Sequence, residues 1–213
     1  MSFPRSPRLL KGGVVLVDAG SGAIQRIVAL QYNPDTITRT LQAVSMGSES
    51  ANRAEATRLK GPPIETVKLE AELDATDLLE SGDEAALQAG LHPQIAALES
   101  AVYPTAAQLI AVDALASSGT LEIAPMLAPL TLFIWSQHRI VPVRITEFSV
   151  TEEAFDAQLN PIRARLTLGM RVLSVDDLGF NQRGGTLFMA YLQGKERMAA
   201  RSRGGTLGLT GLP

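Results

Sequence analysis

Residues 64–73 constrain the fold more narrowly than any other part of the chain. Val67, Leu69, Ala71 and Leu73 alternate without a break with Thr66, Lys68, Glu70 and Glu72. Successive side chains of a strand point to opposite faces, so this stretch predicts a strand with one apolar and one charged face. Residues 162–172 repeat the device. Ile162, Ala164, Leu166, Leu168 and Met170 share one face, while Arg163, Arg165, Thr167 and Arg171 take the other. Two such strands call for a sheet that buries one side on a core and shows the other to water, a channel or another subunit.

The other strand candidates lie on either side of a helical centre. Residues 14–17 are a short β-branched run closed by Asp18, Gly20 and Gly22. Residues 24–32 follow and stop at Asn33 and Pro34, where proline removes a ladder donor. The pair predicts a hairpin, with a third strand over 36–44. Residues 45–63 are polar and end in Gly61, Pro62 and Pro63, which suits an arm that orders against a neighbour. His92 and Pro93 introduce a helix over 94–102, with Ile95, Leu98 and Val102 at helical spacing and proline in the first turn. A second short helix is expected over 105–115. Strands return at 120–123, 130–135, 140–150 and 162–172. Strands, then helices, then strands, with no βαβ rhythm, predict an α+β fold. Its body is a mainly antiparallel β-barrel or sandwich with one or two short helices, followed by a C-terminal helix.

That last helix sits in a tail of different character. After Asp176 and Asp177 a glycine-spaced linker leads to residues 186–200, where Leu187, Phe188, Tyr191, Leu192 and Met198 form a narrow apolar stripe. Lys195, Arg197 and Arg201 make its end basic. The organisation expected is a β domain over 1–175, then a linker, an amphipathic helix and a flexible tail over 176–213. An isolated helix of this length is marginal in water, so the stripe is expected to dock on a neighbouring component.

Bulk composition removes several function classes. Hydrophobic residues make up 46% and charged residues 19% of 213, the balance of a packed globular chain. A net charge of −3 gives no basic footprint for nucleic acid. Cysteine is absent, which excludes disulfides and thiolate metal sites and fits a reducing cytoplasm. The longest apolar run, 124–135, is interrupted by Pro125 and Pro129 and falls short of the roughly 20 residues of a bilayer span, so stable membrane insertion is not expected. His92 and His138 stand at a helix start and in a turn, without the sequence-near partners that catalysis or metal binding needs. Gly20 and Gly22 lack the third glycine of a dinucleotide fingerprint. Glu152, Glu153, Asp156, Asp176 and Asp177 read as solvated turn and linker charges. No enzyme, catalytic residue, cofactor or metal is therefore expected. The candidate contact residues are Arg163, Arg165 and Arg171 on a strand face and Leu187, Phe188, Tyr191 and Leu192 on the terminal helix.

Leu30-Gln-Tyr-Asn-Pro34 opens a series of phrases that continues with Leu132-Phe-Ile-Trp135 and Val141-Pro-Val-Arg-Ile145. Phe148-Ser-Val-Thr-Glu-Glu-Ala-Phe-Asp156 and Asn160-Pro-Ile-Arg-Ala164 complete it. In order and spacing these resemble the tube-domain proteins of extracellular contractile injection systems, in particular the tube-initiator or baseplate-adaptor members, over about residues 10–173. The resemblance implies a structural subunit in a homo-hexameric ring, assembled in the cytoplasm into a phage-tail-like particle. Its implied partners are copies of itself, the spike or hub protein, the inner tube protein and baseplate wedge components. A tube terminator or cap adaptor of the same machine is the alternative, and a stand-alone binding module lies outside it. Many relatives carry a LysM module after the tube domain; residues 176–213 are too short for one, and the terminal helix is expected to replace it.

Overall fold

The structure is a computed structural model that describes residues 10–45, 58–117 and 128–202. The expected strand 120–123, the central part (46–57) of the polar 45–63 segment and the tail 204–213 lie outside the described residues. The described elements are β1 (Gly13–Val17), β2 (Ile24–Ala29), β3 (Ile37–Gln42), β4 (Ile64–Asp74), α1 (Thr76–Glu80), α2 (Glu84–Ala89), α3 (His92–Glu99), α4 (Ala106–Ser117), β5 (Leu130–Ser136), β6 (Arg139–Phe155), β7 (Pro161–Val172), α5 (Val175–Leu178) and α6 (Arg183–Arg201). The fold is α+β, with an antiparallel sheet in the order β2-β1-β5-β6-β7-β4-β3.

Strand β6 organises this sheet, because its 17 residues serve two sets of neighbours. Residues 139–143 pair with β5 and residues 143–155 pair with β7. The register shifts between Ile145 and Glu147, close to the change of partner. A bulge bends its strand, which lets one strand turn the corner between two sheet halves. The halves meet in one core. Phe133 and Val141 come from the first, and Val67, Leu69, Leu166, Leu168 and Met170 from the second. The alternation in β4 and β7 holds residue by residue, with Val67, Leu69, Ala71, Leu73, Ala164, Leu166, Leu168 and Met170 all buried.

The sheet is open, which corrects the expectation of a barrel. β2 and β3 are its two edges and do not pair with each other among the described residues. They are joined by residues 30–36, which form no strand. Asn33 carries on the β1–β2 ladder with its side chain, accepting from the Gly12 amide at 2.9 Å and donating to the Leu10 carbonyl at 2.8 Å. Gln31 reaches across instead of a strand. Its amide donates to the Asp74 carbonyl at 2.6 Å and accepts from the Asp74 N–H at 2.8 Å. One side chain thus mimics a strand pair at the gap, and Pro34 ends the run. This accounts physically for the Gln-Tyr-Asn-Pro phrase.

Helix α3 covers the core with Ile95 and Leu98, preceded by fully buried Leu91. α1, α2 and α5 were not predicted, since elements of four to six residues carry no readable period. The signals present are caps. Asp83 accepts from the Ala86 amide at 2.9 Å, and Ser174 with Asp177 forms a capping box. Helix α6 crosses one end of the bent sheet. At its start Arg183 donates to the Ser21 carbonyl in the β1–β2 turn at 3.2 Å, and towards its other end Lys195 reaches Glu65 on β4. Gly185 allows the start to close down, because a Cβ there would overlap the Gly179 carbonyl. Most of the apolar stripe is seated on the chain itself, Phe188, Tyr191 and Leu192 on the main core and Leu187 on the opposite sheet face, while Met198 is exposed. Phe188 and Tyr191 are buried, while Leu187 and Leu192 are half-buried.

Candidate functional site: an assembly surface

The charged face of the sheet gathers residues from β4, β6 and β7. Pairing sets Glu72 opposite Arg165, Asp74 opposite Arg163, and Glu153 opposite Arg163 from the other side. Each of the three candidate arginines is held by an acid of its own chain. Arg163 meets Asp74 at 3.2 Å, Arg165 meets Glu153 at 3.9 Å and Arg171 meets Asp177 at 3.0 Å. Lys68 and Glu147 add a pair at 3.1 Å. Thr76 and Arg163 hold the Asp74 carboxyl below its ordinary pKa, the Thr76 hydrogen bonds more strongly than the cation. Exposed pairs of this kind contribute about 0–1 kcal/mol each. They fix side-chain positions and neutralise the face more than they stabilise the fold. Glu70 and Glu72 form no ion pair among the described residues.

A second cluster was not singled out from the sequence. Glu65 lies on the apolar face of β4 and is 4% exposed. Arg39 on β3 sits at 2.8 Å, Lys195 on α6 donates at 2.9 Å, and the Tyr191 hydroxyl donates at 2.9 Å. The Lys195 ammonium also stands 4.1 Å from the centre of the Tyr191 ring. The signal was present: Glu65 occupies the apolar register of the 65–73 alternation, and a buried carboxylate needs partners. Burial pushes its pKa up, but hydrogen bonds from Lys195 and Tyr191 and the charges of Lys195 and Arg39 outweigh burial and hold it below the ordinary value.

Such a lowered carboxylate stabilises the fold fully above its unfolded pKa, and the contribution is lost as pH falls through the folded value. Glu65→Ala leaves two cations and a hydroxyl facing an empty place. It is expected to cost about 2 kcal/mol near neutrality, below the range for a fully buried pair because Arg39 and Lys195 are each about a third exposed. Glu65→Gln removes the charge but keeps the shape, and should flatten the loss of stability on the acid side. Urea melts of the three proteins across an acid-to-neutral pH series check both expectations.

The other shifted carboxylates are also explained by local structure. Hydrogen bonds from Ser21 lower Asp18 in the β1–β2 turn, and those from Asn160 lower Asp156 in the β6–β7 turn. Among the described residues no group of three or more His, Asp or Glu is placed to hold a metal, and no helix is long and apolar enough to cross a membrane. His138 is in the β5–β6 turn and His92 begins α3.

Among the described residues, β2 and α4 each turn apolar side chains to solvent. Ile24 and Ile27 on edge strand β2 are 63% and 65% exposed. They border a groove of about 460 Å³ that also includes Val15, Val17, Leu132 and Leu187, with Lys11 and Arg183 at its rim. On α4 no residue is buried, and Leu109 and Ile110 are 50% and 69% exposed.

No family model and no curated protein matches the chain. Among solved structures it is similar to a chain in the tail of an empty gene transfer agent particle refined with C6 symmetry, with a TM-score of 0.30 and 14% identity over 76% of this chain and 90% of that one. It is also similar to a chain in the virion of a native gene transfer agent particle, with a TM-score of 0.28 and 12% identity over 76% and 90%. Both scores fall below the level of a shared fold, so function is read from the chain's own surfaces.

Proposed function

We propose that the chain is a structural, non-enzymatic subunit of a phage-tail-like contractile injection particle. In this reading six copies form a ring that joins the spike hub and baseplate to the inner tube, with wedge components at its rim. The observation that carries the reading is the charged face of β4, β6 and β7. Arg163, Arg165, Arg171 and Lys68 are matched to acids of the same sheet or of the α5 capping box, at distances of 3.0 to 3.9 Å. Arg144, opposite Arg171 on β6, forms no ion pair among the described residues. A strongly polar face on which cations and acids are interleaved can line a channel, or abut a like copy, without presenting a single-sign field that repels it. The open edges β2 and β3 and the resemblance of residues 10–173 to tube-domain proteins support the same assignment. Arg163, Arg165 and Arg171 are then contact residues between copies, together with the half-buried Leu187 and Leu192 of α6.

Arg165→Ala separates the roles. Its side chain is about half exposed, so stability should change by no more than about 0.5 kcal/mol. Incorporation into particles should fall. Sedimenting particles from cells that make the chain, then probing the pellet for it, tests the function itself. The expected result is the chain in the particle fraction; its complete retention in the supernatant would rule the reading out.

A further inference from the structure

Helix α4 and the groove beside β2 are complementary features of one chain. An apolar surface helix in a monomer normally turns one stripe to the core and a polar face to water. α4 has the sequence Ala-Ala-Gln-Leu-Ile-Ala-Val-Asp-Ala-Leu-Ala-Ser, no buried residue, and one charged side chain, Asp113. Leu109 and Ile110 keep half or more of their surface exposed. Asp113 follows them by four and three positions, so it flanks the same face of the helix.

The groove has the opposite character. Its floor is formed by the sheet face opposite the main core, where Val15 pairs with Ile27 and with Leu132. Helix α6 covers part of that floor through Leu187 and leaves Ile24 and Ile27 open. Lys11 and Arg183, the charged residues that line it, are both cations and form no ion pair among the described residues.

We propose that the groove receives α4 of a second copy, with Leu109 and Ile110 against Ile24, Ile27 and Leu132, and Asp113 at the Lys11 and Arg183 rim. The contact joins two different patches, so it is heterologous. Repeated copy to copy, it closes into a ring or runs on as a filament according to the rotation it imposes. This adds a second copy-to-copy contact to the one proposed above for the arginine face and rests on that reading for its biological setting.

The chain contains no cysteine, so introduced thiols report without background. Ile110→Cys and Ile27→Cys lie at positions 69% and 65% exposed and leave the core intact. Under mild oxidation a mixture of the two single variants should shift from monomer to a covalent dimer. Neither variant alone should do so to a comparable extent. Adding Asp113→Lys to the Ile110→Cys variant should slow the mixed reaction, and Lys11→Glu on the partner should restore it. The Ile110→Cys, Ile27→Cys double variant should give a ladder between chains. Dimers of Ile110→Cys alone, a link within one chain of the double variant, or no mixed dimer would each overturn the contact. A ladder that closes at six supports the ring as well. One that runs open leaves the contact standing and sinks the ring, so the two ideas fail separately.

Discussion

A chain that ends at Val175 loses most of its cooperative stability. The truncation removes Phe188 and Tyr191 from the core, and burial of such side chains contributes roughly 1.5–3 kcal/mol each. It also strips Glu65 of Lys195 and of the Tyr191 hydroxyl, leaving the carboxylate with Arg39 as its remaining partner. Together these losses approach the roughly 5–15 kcal/mol that holds a whole domain folded. Circular dichroism should show a broad transition at much lower temperature, or none. A truncated chain that melts as the full one does would mean that α6 is seated elsewhere, on a neighbour rather than on this sheet.

Leu166→Ala should be the most damaging single change on β7. Leu166 is fully buried, pairs with Ala71 on one side and Val150 on the other, and belongs to the main core. Its truncation should cost about 3 kcal/mol from lost transfer energy and the cavity left behind. For a chain of this size that lowers the melting temperature by roughly 6–12 °C. The neighbouring Arg165→Ala, on the opposite face, should move it little. If the arginine proved the costlier loss for the isolated chain, the facing of β7 described above would be inverted.

The facing itself was legible in the sequence, because β4 and β7 are half-buried strands whose alternation is imposed by the pleat. Helices α3 and α4 were legible too, α3 through Pro93 and the spacing of Ile95 and Leu98, each to within a few residues. What was not legible depends on contacts distant in sequence. The barrel expectation gave way because the edge strands β2 and β3 do not pair with each other among the described residues. No local pattern records that Gln31 will stand in for a strand pair 43 residues away. The stripe on α6 looked too narrow for a core helix when judged alone. It suffices because Glu65, 126 residues from Tyr191, supplies the polar anchor that a wider stripe would otherwise replace. The sequence did carry one overlooked clue, a glutamate in an apolar register. The arginines were correctly placed on a polar face, but their partners Asp74, Glu153 and Asp177 follow from register and turn geometry that spacing does not disclose.

The most direct test of the central claim is imaging of the assembled particle at a resolution that traces individual chains. Six copies of this chain should occupy one closed layer between the spike hub and the inner tube, with the face bearing Arg163 and Arg165 turned to the channel or to the next copy. A single copy, a two-fold dimer, or a particle that lacks the chain altogether would contradict it.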